Sequence, residues 1–218
     1  MNQFKMSLFL PPISPVKDSA TGRTIQPPTL TPYKEITLQE VYKLITSSER
    51  LKTLTETVRR AAENGDEKIY RMLKQQTLPY VTPCGVFSYR KSDSLTGPSG
   101  LIVVDIDHLD SRGEAEKLKR QLFNDRLLRP VLAFTSPGGH GVKAFIPYDL
   151  ARIPDTRQNT SENIHWAMNY VQAIYDSHPD GEDKKTNHSG KGVDRSGKDL
   201  VRACFLSYDE EALIRREI

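Results

Sequence analysis

Leu101-Ile102-Val103-Val104-Asp105-Ile106-Asp107 is the stretch from which the rest of this chain is read. Four apolar residues, rich in β-branched types, run straight into two aspartates at i and i+2, the pattern of a buried strand with a polar end. Side chains alternate faces along a strand. Asp105 and Asp107 therefore point the same way, with Cα atoms roughly 6.5–7 Å apart. Two carboxylates on one face at the end of a buried strand repel each other and lose hydration unless a cation sits between them. Oxygen ligands suit a hard divalent cation such as Mg2+ or Mn2+. The plain alternative is that one aspartate caps the following turn and the other faces solvent, and a lone D-x-D is short enough to arise by chance.

Downstream of this strand, Ser111-x-x-Glu114 has the spacing of a capping box and predicts a helix to about Arg126. Val131 to Thr135 reads as a strand, Ser136-Pro137-Gly138-Gly139-His140-Gly141 as a glycine-rich turn and Val142 to Tyr148 as the next strand, so a hairpin is expected. Glycines let backbone N–H groups approach phosphate oxygens, and Lys143 on the outgoing strand is placed to pair with them. Gly-Gly in a hairpin is more often only a turn, and no G-K-[ST] follows, so this is not a P-loop. Gly192-Val193-Asp194 adds a third carboxylate, and Arg202 beyond it could clamp a phosphate bidentately. Taken singly, each has an ordinary reading as a solvated loop aspartate or a surface arginine.

Upstream, residues 1–36 hold six of the fourteen prolines, which forbids helix and suggests an extended arm or edge strands. Thr37-x-x-Glu40 opens a helix to about Thr46. A second follows the Ser47-Ser48 cap and stops at Asn64-Gly65, and a third, from Asp66, carries Ile69, Tyr70 and Leu73 on one face. Val86 to Arg90 and Leu200 to Tyr208 read as strands, and a helix from about Ser161 to Ser177 presents Ile164, Met168, Val171 and Tyr175, with Trp166 taken as core. Residues 178–199 form a long polar loop. Its Lys184, Lys185, Lys191, Arg195 and Lys198 are candidate template contacts, balanced by Asp180, Glu182, Asp183, Asp194 and Asp199. Lys74 and Arg90 are further basic residues within reach of a phosphate, though exposed basic residues are usually just solvated.

A chain of 218 residues with 37% hydrophobic and 27% charged residues is expected to fold as one large domain or two small ones. The net charge of +3 is compatible with nucleic acid but does not argue strongly for it. Met6 to Leu10 is too short for a signal-peptide core, no membrane span is visible, and the cytoplasm is the expected compartment. Cys84 and Cys204 lack metal-site spacing and read as core thiols.

The order D-x-D, Ser/Gly turn with a basic strand, then hydrophobic-Asp and a basic residue resembles the archaeo-eukaryotic primase (primase-polymerase) superfamily. More narrowly it resembles the VirE-type N-terminal domain of bacterial mobile-element proteins. The resemblance covers about residues 78–208 through Asp105 and Asp107, Ser136 to Lys143, Val193-Asp194 and Arg202, with Leu206-Ser207-Tyr208-Asp209 as a typical domain end. It implies an α+β fold: a mostly antiparallel, RRM-like sheet flanked by helices, with a helical N-terminal subdomain at 37–80 and a catalytic core at 81–218. It also implies Asp105, Asp107 and Asp194 as catalytic metal ligands for Mg2+ or Mn2+. Ser136, Gly138, Gly139, His140, Lys143 and Arg202 would hold the nucleotide phosphates.

The expected activity is nucleotide transfer on a single-stranded DNA or RNA template from nucleoside triphosphates, in replication or mobilisation of a mobile element. The chain is expected to be the N-terminal part of a longer protein with a fused or partner helicase. Where the superfamily usually has histidine, this chain has Lys143. That departure supports an alternative, an inactive relative that binds nucleic acid or nucleotide. A metal-dependent nuclease is the second alternative, since D-x-D suits it too.

Overall fold

The computed structural model describes residues 4–175, 192–194 and 199–215. In chain order the elements are β1 (Lys5–Phe9), β2 (Val16–Lys17), β3 (Thr24–Gln26), β4 (Lys34–Thr37), α1 (Leu38–Ser47), α2 (Glu49–Glu63), α3 (Glu67–Thr77), β5 (Tyr80–Thr82) and β6 (Gly85–Phe87). They continue with β7 (Leu95–Pro98), β8 (Leu101–Asp107), α4 (Arg112–Phe123), β9 (Leu132–Thr135), β10 (Val142–Pro147), α5 (Thr156–Tyr175), β11 (Gly192–Val193), β12 (Cys204–Phe205) and β13 (Leu213–Ile214). The fold is α+β, with several antiparallel sheets flanked by helices.

Local signals start α1 to α4 where the sequence places them. Thr37 caps α1 through a complete capping box: its side chain accepts from the Glu40 N–H, and Glu40 accepts from the Thr37 N–H. Ser48 and Asp66 cap α2 and α3 by their side chains alone, accepting from the Leu51 and Ile69 N–H groups. At α4 the motif is used differently. Ser111 accepts from Glu114 as expected, but Glu114 reaches back to the Asp110 amide and not to that of Ser111.

Two larger sheets carry the fold. The first has the order β12-β5-β1-β4 and the second β11-β8-β10-β9-β13. β1 is therefore no edge strand. It pairs with β4 on one side and β5 on the other, because its residues 6–9 are all buried and their backbone needs two partners. The segment around residue 200 is also less regular than expected. Only Cys204–Phe205 pairs, and it joins the first sheet beside β5. Likewise, of the Val86–Arg90 stretch only Val86 and Phe87 are strand, in β6.

β8 lies between β11 and β10 and is buried on both faces. Leu101 and Val103 join one core with β1, α1, α2 and β12. Ile102, Val104 and Ile106 join a second core with α4 and α5. Each aliphatic side chain so buried contributes roughly 1.5–3 kcal/mol, which accounts for the unbroken apolar run. Asp105 and Asp107 continue the face of Leu101 and Val103. They emerge where the N-terminal layer, and not α4 and α5, covers the sheet.

Three smaller expectations change. Trp166 is 44% exposed and stacks on Tyr170, with ring centroids 5.7 Å apart, because the buried side of α5 is Ile164, Ala167, Met168 and Val171. Ile69 is 43% exposed, since α3 packs through Tyr70 and Leu73. α5 starts at Thr156, five residues before Ser161. Cys84 and Cys204 are free and buried, as read from the sequence.

Candidate metal centre

The strand register builds the site. Lys143 on β10 sits directly opposite Asp105, and in an antiparallel pair opposed residues share a face. On the other side of β8, Gly192 opposes Asp107 and Val193 opposes Ile106. The next residue, Asp194, donates its N–H to the Asp105 carbonyl at 2.9 Å, which brings the third carboxylate beside the first two. Gly192 has φ of 112°, a backbone conformation that L side chains rarely adopt, so a glycine suits the entry to this short strand.

The carboxylates of Asp105, Asp107 and Asp194 each offer an oxygen, and these oxygens all lie within 4.8 Å of one another. Asp105 is 6% exposed. Its Oδ2 accepts from the Lys143 ammonium and lies 3.5 Å from the Arg202 guanidinium, while Arg202 donates to Asp194 Oδ2 at 2.6 Å. Among the described residues, its Oδ1 is buried without a hydrogen-bond partner. A buried carboxylate oxygen is costly to leave unpaired, and an oxygen-only donor set of this kind suits a hard divalent cation. The residues present therefore fit Mg2+ or Mn2+, with Asp105 Oδ1 as the free ligand atom.

Electrostatics agree with a crowded acidic site. Burial first and the neighbouring Asp105 carboxylate second push the Asp107 carboxyl up to about 6. Burial disfavours the Lys143 ammonium, but Asp105 and Asp107 overcome that penalty and hold it above the usual lysine range. Arg202 is raised in the same way: burial opposes its charge, and Asp105 and Asp194 more than offset it.

The aspartates open into a cleft of about 430 Å³. Its far wall comes from the N-terminal layer, through Tyr70 and Lys74 of α3 and through Arg90. The Lys74 ammonium lies over the Tyr70 ring at 4.9 Å and the Phe205 ring at 5.8 Å. Burial and then Lys143 lower its pKa, and burial and then Asp107 raise that of the Tyr70 phenol. The floor thus holds the carboxylates paired with Lys143 and Arg202, and the wall carries Lys74 and Arg90.

The glycine-rich turn docks beside this floor. The Ser136 N–H donates to the Gly141 carbonyl at 2.8 Å, and the Gly139 N–H donates to Ser136 at 2.9 Å. A Cβ on Gly141 would fall 2.9 Å from Asp107 Oδ1, so the turn touches the aspartate strand. Gly138 packs against the Tyr70 ring and Gly139 approaches Arg59. His140 is exposed, and its carbonyl accepts from the Leu109 amide.

Of the candidate phosphate ligands, Lys143 and Arg202 line the cleft, and the turn reaches it through Pro137. Among the described residues lining the cleft, Ser136, Gly138, Gly139 and His140 do not appear. Lys184, Lys185, Lys191, Arg195 and Lys198 lie outside the described residues. Sequence reasoning placed Tyr70 in the apolar face of α3 and gave Phe205 no role. The available signal was the spacing of Tyr70 and Lys74, i and i+4 on one helix, which puts both on one face.

The chain belongs to the BT4734-like family: the pattern of its N-terminal domain matches residues 72–213. That match spans the carboxylate triad, the glycine-rich turn, Lys74, Arg90 and Arg202, and it leaves Tyr70 just outside. No curated protein and no solved structure is similar enough to the chain to be matched. Among the described residues, no helix is long and apolar enough to cross a membrane.

Proposed function

We propose that this chain is a metal-dependent nucleotidyltransferase domain of primase-polymerase type, and that it joins nucleotides on a single-stranded DNA or RNA template. The observation that carries this reading is the convergence of Asp105, Asp107 and Asp194, one with a buried unpaired oxygen, beneath a basic wall. The strand order gives further support. β8-α4-β9-β10-α5-β11 arranges as β11-β8-β10-β9 with both helices packed in the second core, an order that supports an RRM-like reading of this sheet. Membership of the BT4734-like family agrees with a superfamily of this kind. Action on a mobile element beside a fused or partner helicase, in the cytoplasm, completes the reading.

Bound Mg2+ or Mn2+ would lower the pKa of a 3′-hydroxyl and neutralise the leaving pyrophosphate. Asp105, Asp107 and Asp194 would hold it. Lys143 and Arg202, at the floor, are within reach of phosphate oxygens near the reacting centre, while Lys74 and Arg90 face them across the cleft. Chemistry of this kind rests on positioning and charge neutralisation more than on covalent steps by the protein.

A second reading, an inactive binding domain, is favoured by one feature: Lys143 stands where the superfamily usually has histidine and is ion-paired to Asp105. The test is primer synthesis and extension on single-stranded DNA with Mg2+ or Mn2+ and labelled nucleotides, with Asp105→Ala, Asp107→Ala alongside. Product from wild type alone supports the transferase. Nucleotide binding without product supports the inactive relative, and degradation of the template without extension points to a nuclease.

A further inference from the structure

We infer that Lys143, with Arg202, is the resident counter-ion of the carboxylate triad, so that the cleft takes a divalent cation together with a polyphosphate anion and not alone. This rests on the nucleotidyltransferase reading and specifies the form in which its metal is captured.

The argument begins with charge. Among the described residues, four carboxylates (Asp105, Asp107, Asp194, Asp199) and four cations (Lys74, Arg90, Lys143, Arg202) line the cleft, so its described lining is formally neutral. Metal sites that hold a bare dication usually carry an excess of negative charge, and this one does not. Adding a lone divalent ion leaves two uncompensated positive charges in a partly buried space. Adding the same ion with a polyphosphate removes that positive excess, because the anion carries more negative charge than the ion carries positive.

Geometry makes the competition specific. Lys143 is 5% exposed and occupies Asp105 Oδ2, and Arg202 occupies Asp194 Oδ2. A cation seated among the three aspartates shares those carboxylates with the ammonium and the guanidinium at close range, where like charges repel strongly. A polyphosphate supplies the missing element, because it gives Lys143 and Arg202 anionic partners of their own. The wall cations Lys74 and Arg90 add to the same anion. Lys143 is thus a positioning residue: it keeps the acidic floor folded and paired while empty, and couples metal capture to arrival of the anion.

The experiment is calorimetric titration of Mn2+ into wild type, Lys143→Met and Arg202→Gln, each with and without a non-hydrolysable nucleoside triphosphate. Thermal melts are run on the same samples. Wild type is expected to bind Mn2+ weakly alone and much more tightly with the triphosphate. Lys143→Met should bind Mn2+ alone about tenfold or more tighter than wild type. It should also lose most of the gain that the triphosphate brings. Lys143→Met is expected to melt lower than wild type without metal, because Asp105 loses its nearest cation and keeps only Arg202 at 3.5 Å, and to recover more on adding Mn2+. Arg202→Gln, a second variant at a side chain 15% exposed, should shift the same way by less. Mn2+ affinity in both variants equal to or below wild type overturns the inference. Asp105→Asn, Asp107→Asn separates the two levels. If it removes Mn2+ binding while the cation variants change nothing, only the counter-ion role falls. If it leaves Mn2+ binding intact, the metal centre itself is refuted.

Discussion

Replacing Gly141 with alanine probes the contact on which the site's geometry depends, the docking of the Ser136–Gly141 turn against the aspartate strand. A Cβ at this position would lie 2.4 Å from the Ile106 carbonyl oxygen, 2.8 Å from Ser136 Oγ and 2.9 Å from Asp107 Oδ1. The first partner is backbone within a strand paired on both sides, so it cannot turn aside as a side chain would. Restoring ordinary contact requires β8 and the turn to separate by about 1 Å in a close-packed region. Overpacking typically costs about 1–3 kcal/mol, and the backbone partner places this case at the upper end. The same movement displaces Asp107, so Mn2+ affinity in the presence of triphosphate should fall alongside stability. Gly97→Ala is the comparison, since nothing lies within 4 Å of its Cβ and its effect should stay within about 0.5 kcal/mol. Urea unfolding followed by circular dichroism measures both. A Gly141→Ala midpoint equal to that of wild type, with unchanged slope, would refute the docked turn and with it the placement of Asp107.

Other consequences can be measured with the same equipment. Lys119 is fully buried between Asp209 at 2.8 Å and Glu116 at 2.6 Å, so Lys119→Met should destabilise by about 3–5 kcal/mol, and a loss below about 1 kcal/mol in urea would show that the pair is not desolvated. Thr37→Ala removes the α1 capping box and should lower stability by about 1 kcal/mol in the same assay. The Thr37 amide first, then Lys34, hold the Glu40 carboxyl down to about 2, below its unfolded value near 4.3. Its contribution is therefore complete above about pH 5 and lost as pH falls through the folded value, so wild type and Glu40→Gln stabilities should converge on acidification; a constant gap would count against the box. Trp166→Ala, at an exposed stacked pair, should cost less than about 1.5 kcal/mol, whereas a core tryptophan would cost about 3–5 kcal/mol by thermal melt.

The sequence by itself determined the local elements and the acidic pair. The unbroken run Leu101–Val104 meant a strand buried on both faces. Alternation put Asp105 and Asp107 on one side of it, and Ser, Thr and Asp caps started α1 to α4. These features follow from backbone periodicity and short-range hydrogen bonds, which sequence spacing encodes directly. The β9–β10 hairpin was legible for the same reason, and the α+β class came with the family resemblance.

Only the tertiary structure decided which distant pieces meet. Whether Asp194 joins the acidic pair depends on β11 pairing with β8 across a long separation in sequence. That Lys143 neutralises Asp105, when it could have met only phosphate, depends on the register of β10. Tyr70, Lys74 and Arg90 enter the cleft because the N-terminal layer covers the same face of the second sheet that carries the aspartates. Trp166 and Ile69 were misjudged because a helix's apolar residues do not reveal which sector of its surface a neighbour will cover. Burial, charge pairing and sheet register are non-local quantities. The one-dimensional pattern shows which residues are able to form the site, and the packing of the two sheets selects those that do.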